Sequence, residues 1–295
     1  MANGTLQQTL GYAGWLFNPF RRLSVPDIYG LLATDAISDT GLYLNLGYWK
    51  DAQTLDQACE ALVRLVAETA ALGPDDRVVD VGFGFADQDL FWMRAFAPTH
   101  ITGLNITPSQ VALARRRVAA NGLSDRIELL EGSATEMPLP SAAFDKVLAV
   151  ECAFHFDTRA RFFAEAHRVL RRGGRLVLAD VIQTERETRR SRRLVQDLNW
   201  RFFTNRWGVP EANYETRASY RDRLAAADFE NIEVRSIREH VFAPLHRHIA
   251  ANPSKLERFH PLARIPFHLA LRFDPATIST GFDYVIARAD KPGAA

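Results

Sequence analysis

Between residues 54 and 182 the chain alternates short apolar runs with stretches in which apolar side chains return every three or four positions. Leu55, Ala58, Leu62, Leu65 and Val66 recur at helical spacing, which predicts a helix over 54–70 that stops at Gly73-Pro74. Residues 77–81 read as a strand that breaks into Gly82-Phe83-Gly84, and residues 87–95 as the helix after it. The same reading gives strands at 100–105, 127–132, 144–149 and 175–180, with helices at 108–121 and 159–170. Pro108 suits the first turn of its helix. Strand and helix in turn are the rhythm of a parallel sheet covered on both faces, an α/β fold.

The rhythm is interrupted three times. Residues 1–53 carry Tyr12, Trp15, Phe17, Phe20, Tyr29, Tyr43, Tyr48 and Trp49 without a sustained period, and read as short helices and loops that cover the core. Residues 183–215 begin with a charged, Arg-rich helix and continue through a separate segment from Asn199 to Tyr214. A helix at 216–227 and a strand at 229–234 return to the core within 216–237, and residues 238–276 form a second insert, too long for a loop and expected to be helical. A last strand at 281–287, within 277–295, completes the core begun at 54–182.

Composition narrows the function. Lys and Arg number 36 against 35 Asp and Glu, so a net charge of +1 gives a polyanion such as nucleic acid nothing to be drawn to. No apolar run approaches a membrane span. Cys59 and Cys152 are far apart and fit neither a disulfide framework nor a zinc cluster. The start has no basic flank, apolar run and small-residue cleavage site, so a reducing cytoplasm is the expected compartment.

The most informative stretch is Val78-Val79-Asp80-Val81-Gly82-Phe83-Gly84-Phe85-Ala86. A strand that turns through closely spaced glycines lets its backbone approach a ligand at the carboxyl end of the sheet. A dinucleotide enzyme would place an acid at the end of the second strand to hold a ribose, and here the residue is Asn105. Together with Glu131–Pro138 and Phe144-Asp145-Lys146-Val147, these motifs resemble those of the class I S-adenosylmethionine-dependent methyltransferases. The resemblance spans about 70–290, with Leu44–Trp49 as a further match upstream. It is nearest to the macrolide-sugar O-methyltransferases of the erythromycin-pathway type through 80–89, 131–138, 151–163 and 282–287, and sterol and isoprenoid C-methyltransferases share much of the framework.

The resemblance implies a Rossmann-like seven-stranded sheet with an antiparallel last strand, a helical cap from the two inserts, S-adenosylmethionine as cofactor, and homodimers or larger assemblies. It sets Asp80, Gly82, Phe83 and Gly84 along the methionine part of the cofactor, with Gln88 beside them. Asn105 falls to the ribose, Ile106, Ser133 and Ala134 to the adenine, and Gln110 to the cofactor. Many relatives carry acids where this chain has Asn105 and Ser133, and an amide or hydroxyl still hydrogen-bonds a neutral nucleoside.

The fourth strand runs into Glu151-Cys152-Ala153-Phe154-His155, at the sheet end that the glycine turn also faces. If the acceptor is a hydroxyl, His155 is the candidate base; otherwise it is a hydrogen-bonded histidine that shapes the loop. Glu151 either holds the acceptor, sits near the sulfonium, or accepts hydrogen bonds from the loop. Cys152 reads as packing. Tyr43, Tyr48, Trp49 and Phe154 are expected around the acceptor, with Trp200, Phe203, Phe242 and His246 reaching it from the inserts.

His240, His246, His248, His260 and His268 crowd the second insert without a coordinating carboxylate or cysteine motif, so no metal is expected. Phe259, Pro261, Phe267 and Leu271 suit an apolar acceptor pocket or a lipid-facing patch. The arginines at 186, 189, 190, 192 and 193 form a solvated helix face or a site for a diphosphate. The expected activity is methylation of a hydroxyl on a hydrophobic or glycosylated small molecule. The rivals are C-methylation of an isoprenoid, sterol or prenyl diphosphate alkene through a carbocation, a noncatalytic cofactor-binding protein, and a dehydrogenase.

Overall fold

A computed structural model of the protein describes residues 38–293 except His260, together with Gly11, residues 13–15, Ser24, Asp27 and Ile28. The aromatic residues Tyr12, Phe17, Phe20 and Tyr29 lie outside the described residues, as does His260.

Helix α1, Leu55–Ala70, is started by a capping box between Thr54 and Gln57. It buries Leu55, Ala58, Leu62 and Val66 against the sheet. The chain leaves it at Ala71, whose backbone is left-handed at φ 51°, two residues before the glycine-proline pair that the sequence pointed to. Strands β1 (Arg77–Val81), β2 (His100–Asn105), β3 (Ile127–Glu131) and β4 (Phe144–Val150) alternate with helices α2 (Asp87–Ala95), α3 (Pro108–Ala120) and α4 (Arg159–Val169). Strand β5 runs over Leu170–Gln183, well beyond the stretch expected at 175–180. Gly173 and Gly174 fall in an irregular stretch of its pairing with β4, between Phe144↔Leu170 and Lys146↔Arg175.

Helix α6 (Arg217–Ala225), strand β6 (Glu230–Ser236) and strand β7 (Phe282–Asp290) complete a seven-stranded sheet of order β3-β2-β1-β4-β5-β7-β6. Strand β7 alone runs antiparallel to its neighbours β5 and β6. The order reverses between β1 and β4, so their carboxyl ends open a crevice.

The first insert carries one long helix, α5 (Arg190–Trp207), that runs through Asn199, followed by a 3₁₀ turn at Glu211–Asn213. Gln196, Trp200 and Thr204 return at four-residue spacing on its buried side, and Gly208 at φ 62° ends it. The second insert is helical: α7 (Phe242–Ala251), a 3₁₀ turn at Pro253–Arg258, α8 (Pro261–Ala270) and a single turn at Pro275–Ile278. Trp15 joins the two inserts. Its indole N–H donates to the Arg206 carbonyl at 3.1 Å, and its ring packs with Ile28, Leu256 and Phe259.

Candidate active site

At the carboxyl ends of β1 and β4 lies an open cleft of about 1050 Å³. Gly82 and Gly84 form its floor, both left-handed, at φ 75° and 56°. A Cβ on Gly82 would sit 2.7 Å from both Cβ and Sγ of Cys152, and one on Gly84 would sit 3.0 Å from Leu44. The turn is therefore glycine for both conformation and space. Ala86 takes the third small position at φ 66°. Beneath the turn Asp80 is fully buried and off the cleft wall, accepting from the Gln88 amide at 3.0 Å. Burial and the neighbouring Asp89 carboxyl raise Asp80 well above the usual carboxylate range.

Over the floor runs the segment 42–45, whose four residues all line the cleft. Its ends are held by carboxylates. Asp56 accepts from the N–H groups of Asp39, Thr40 and Gly41, and Asp87 accepts from that of Leu42 at 3.1 Å. Arg117 on α3 grips both oxygens of Asp87 and the Phe85 carbonyl, fixing the cover to the loop below it.

On the β2–β3 side, the amide of Asn105 donates to Gln110 Oε1 at 2.9 Å, and its oxygen accepts from the Thr107 N–H at 3.3 Å. Ile106 is 46% exposed, an apolar face open beside them. Ser133, Ala134 and Thr135 close this wall, with the Ser133 and Thr135 hydroxyls 2.9 Å apart.

This lining fits S-adenosylmethionine. Asn105, Gln110, Ser133 and Thr135 offer hydrogen bonds to hydroxyls and ring nitrogens, and Ile106 and Ala134 offer apolar surface to a purine. Asp87, Glu151 and Asp157 are on the wall, while no Lys or Arg is among its described residues. Such a cleft suits a cationic sulfonium and not the pyrophosphate of a dinucleotide.

Beyond β4 the backbone of Glu151 is left-handed, at φ 54°. Its Oε2 accepts from the Leu46 N–H at 2.8 Å and from the Tyr284 hydroxyl at 2.7 Å. Desolvation pushes its carboxyl up to about 8, against the pull of those two donors. Cys152 lines the cleft, and its thiol donates to the Val81 carbonyl at 3.0 Å. His155 also lines it, at the end of the 3₁₀ turn Ala153–His155. Burial pushes its imidazole down to about 3, against the hydrogen bond to the Trp207 backbone that favours the charged form. Burial thus favours the neutral ring. A neutral imidazole that donates through one nitrogen keeps a lone pair on the other.

Of the residues expected at the site, the cleft gathers Tyr43, Gly82, Phe83, Gly84, Gln88, Asn105, Ile106, Gln110, Ser133, Ala134, Glu151 and His155. Others stand behind it. Phe154 and Phe203 pack at 5.6 Å, Trp200 lies 5.8 Å from Phe203, and Phe203 and Phe242 both meet Phe282, so that Phe154 and Trp207 link this aromatic cluster to His155. Tyr48 and Trp49 pack on His240 and His248, and His246 bonds the Ala270 carbonyl, none of them on the cleft wall. No group of acids, histidines and cysteines among the described residues could hold a metal ion. Arg186, Arg189, Arg190 and Arg192 are exposed and off the wall. Sequence reasoning missed Leu42, Leu44, Asn45, Asp87, Thr135 and Asp157 on the wall, and Arg117 and Tyr284 behind it.

A family model described as "Methyltransferase domain" matches residues 79–178. Erythromycin 3''-O-methyltransferase of Saccharopolyspora erythraea is 37% identical over 218 residues, 73% of this chain and 71% of that enzyme. Among solved structures, a phosphoethanolamine N-methyltransferase of Haemonchus contortus bound to S-adenosyl-L-methionine superposes with a TM-score of 0.71 at 14% identity, covering 96% of this chain and 60% of that one. Geranyl diphosphate C-methyltransferase of Streptomyces coelicolor, bound to S-adenosyl-L-homocysteine, does so at 0.66 and 16%, covering 97% and 99%. These two share the fold. No helix of the described residues is long and apolar enough to cross a membrane. Sheet order, cleft chemistry and the extent of the first likeness agree: the chain belongs to the class I S-adenosylmethionine-dependent methyltransferases.

Proposed function

We propose that the protein methylates a hydroxyl of a small, hydrophobic or glycosylated natural product, with His155 as the base. The observation that carries this reading is the neutral imidazole of His155 on the cleft wall beside Glu151, within the loop that follows β4. The likeness to an enzyme named as a 3''-O-methyltransferase supports the same acceptor chemistry.

When bound, S-adenosylmethionine supplies a methyl group activated on a sulfonium. The acceptor oxygen attacks that carbon in line, and its proton must leave as the new bond forms. A weakly basic ring suffices, because a hydroxyl becomes far more acidic as its oxygen is alkylated. His155, on the cleft wall, takes the proton at its imidazole. The aromatic cluster of Phe154, Phe203 and Trp207 behind it excludes water and offers apolar surface to a bulky acceptor. In this reading the enzyme works in the reducing cytoplasm, where the thiols Cys59 and Cys152 stay free, and takes no nucleic acid.

The test supplies methyl-labelled S-adenosylmethionine and an extract rich in glycosylated and isoprenoid metabolites. Mass spectrometry is expected to find the label on oxygen. Label on carbon would replace this reading by C-methylation of an alkene, where Glu151 and the aromatic rings would face a carbocation.

A further inference from the structure

Building on the methyltransferase reading, we propose that Tyr284 is a positioning residue that sets the charge of Glu151, and that this carboxyl distinguishes the sulfonium cofactor from its neutral thioether product. The structure gives the Tyr284 hydroxyl a partner on the cleft wall.

The phenol comes from β7, is fully buried, and donates to Glu151 Oε2 at 2.7 Å. The same oxygen takes the Leu46 N–H of the cover at 2.8 Å. Both donors converge on one carboxyl oxygen, and Glu151 lines the cleft, which leaves Oε1 for a ligand or a proton. The left-handed backbone of Glu151 is uncommon for a residue with a side chain and is held in place by these contacts from two separate elements.

Asp80 and Asp89, a buried pair under the glycine turn that is off the cleft wall, are both raised by burial, and Glu151 is the raised carboxyl that lines the cleft. Asp180 on β5 is already paired with Arg159 at 2.8 Å, both fully buried. Cys59 on α1 and Cys152 beside Glu151 are raised by burial and stay as thiols. Tyr284 is raised in the same way and stays a donor, Asp80 under the turn is raised, and His155 is neutral. Glu151 itself, near 8, changes charge within the working range. A carboxylate attracts a sulfonium and has no such attraction for a thioether. A hydroxyl donating to the carboxylate favours its charged form, so Tyr284 extends the pH range over which Glu151 is charged.

Calorimetry gives the test without turnover. The dissociation constants of S-adenosylmethionine and S-adenosylhomocysteine are measured from pH 6 to 9.5 on the whole protein, Tyr284→Phe and Glu151→Gln. The sulfonium also shifts the amino group of its own ligand, so each variant's ratio is read against that of the unaltered protein, in which the ligands' own titration is the same. In the unaltered protein the preference for S-adenosylmethionine rises with pH, by roughly tenfold. Tyr284→Phe moves the midpoint of that rise to higher pH, and Glu151→Gln flattens it. An unchanged midpoint in Tyr284→Phe, or an unchanged rise in Glu151→Gln, overturns the proposal. If Tyr284→Phe does not fold, the Glu151→Gln curve decides. Failure of either ligand to bind the unaltered protein would instead strike at the methyltransferase reading itself.

Discussion

The side-chain amide of Asn213 donates to the carbonyl of Phe154 at 3.1 Å, across 59 residues of chain. It donates also to that of Phe156 at 2.7 Å, so the peptides on either side of His155 are tied to one residue. Asn213 is itself held, its Oδ1 accepting from the Arg159 N–H and its carbonyl from the Arg159 guanidinium, which pairs with Asp180. Asn213→Ala leaves two carbonyls beside the base without their donor. Turnover is expected to fall about tenfold with cofactor affinity nearly unchanged, and stability by about 1–3 kcal/mol. Steady-state kinetics, calorimetry and denaturant unfolding measure the three. Equal losses in turnover and cofactor affinity would contradict a role confined to His155.

His155→Gln removes the proton acceptor and keeps a polar side chain of similar reach. The rate is expected to drop about 10²–10⁴-fold, with cofactor binding retained. Because the folded imidazole is pushed down to about 3, its protonation lies far below the working range. The activity of the unaltered enzyme should therefore show no acid limb from His155 between pH 5 and 8. A limb near the ordinary histidine value that vanishes in His155→Gln would show the ring to be exposed and charged instead.

Arg117→Ala strands Asp87 in a site where it is only 8% exposed. Arg117 is itself partly open to solvent, so the loss is expected below the ~3–5 kcal/mol of a fully buried pair. Leu42 loses a fixed acceptor with it, and cofactor affinity is expected to weaken about tenfold. Thermal unfolding and calorimetry separate the two effects. Arg117→Lys restores charge without the two-oxygen grip and should recover only part of each.

Gly82→Ala forces a methyl group against Cys152 at a left-handed position. The cost is expected at about 1–3 kcal/mol. Adding Cys152→Gly removes the collision but not the backbone strain, so the double variant should regain part of the loss. Full additivity of the two substitutions in unfolding experiments would rule out the contact.

For Glu151 the folded carboxyl stands above its ordinary value of 4.5, at about 8. The unfolded chain loses that proton first, so the contribution to stability is complete below 4.5 and falls as pH rises toward 8. Glu151→Gln keeps an oxygen for Leu46 and Tyr284 and cannot ionise. Its melting temperature should match the unaltered protein at pH 4.5 and exceed it by a few degrees at pH 9. A difference independent of pH would mean that the carboxyl titrates normally.

The sheet was legible because its strands are continuous apolar runs and its first helices repeat cleanly, and the glycine turn showed where a ligand enters. Helix α5 was split in error because its buried side carries Gln196 and Thr204, polar residues that interrupt an apolar period, Gln196 donating to the Thr184 hydroxyl and Thr204 to the Arg201 carbonyl of its own helix. The cover at 39–46 has no period at all, since its backbone is held by Asp56 at Gly41, Asp87 at Leu42 and Glu151 at Leu46 rather than by packing alone. Arg117 lies 30 residues from Asp87 and Tyr284 lies 133 from Glu151, and spacing gives no sign of such pairs. The inserts were recognised as a cap, but their aromatic residues face one another around Phe282 rather than the cofactor cleft.

Every described residue on the cleft wall lies before position 158, and none comes from the two helical inserts. In the proposed reading, where Phe203 and Trp207 offer the acceptor apolar surface, acceptor range is set apart in the sequence from the cofactor wall. In that reading, recombination that replaces the 242–278 helices and keeps α5 with Trp207, together with Asn213, to hold the base would change what is methylated without rebuilding how.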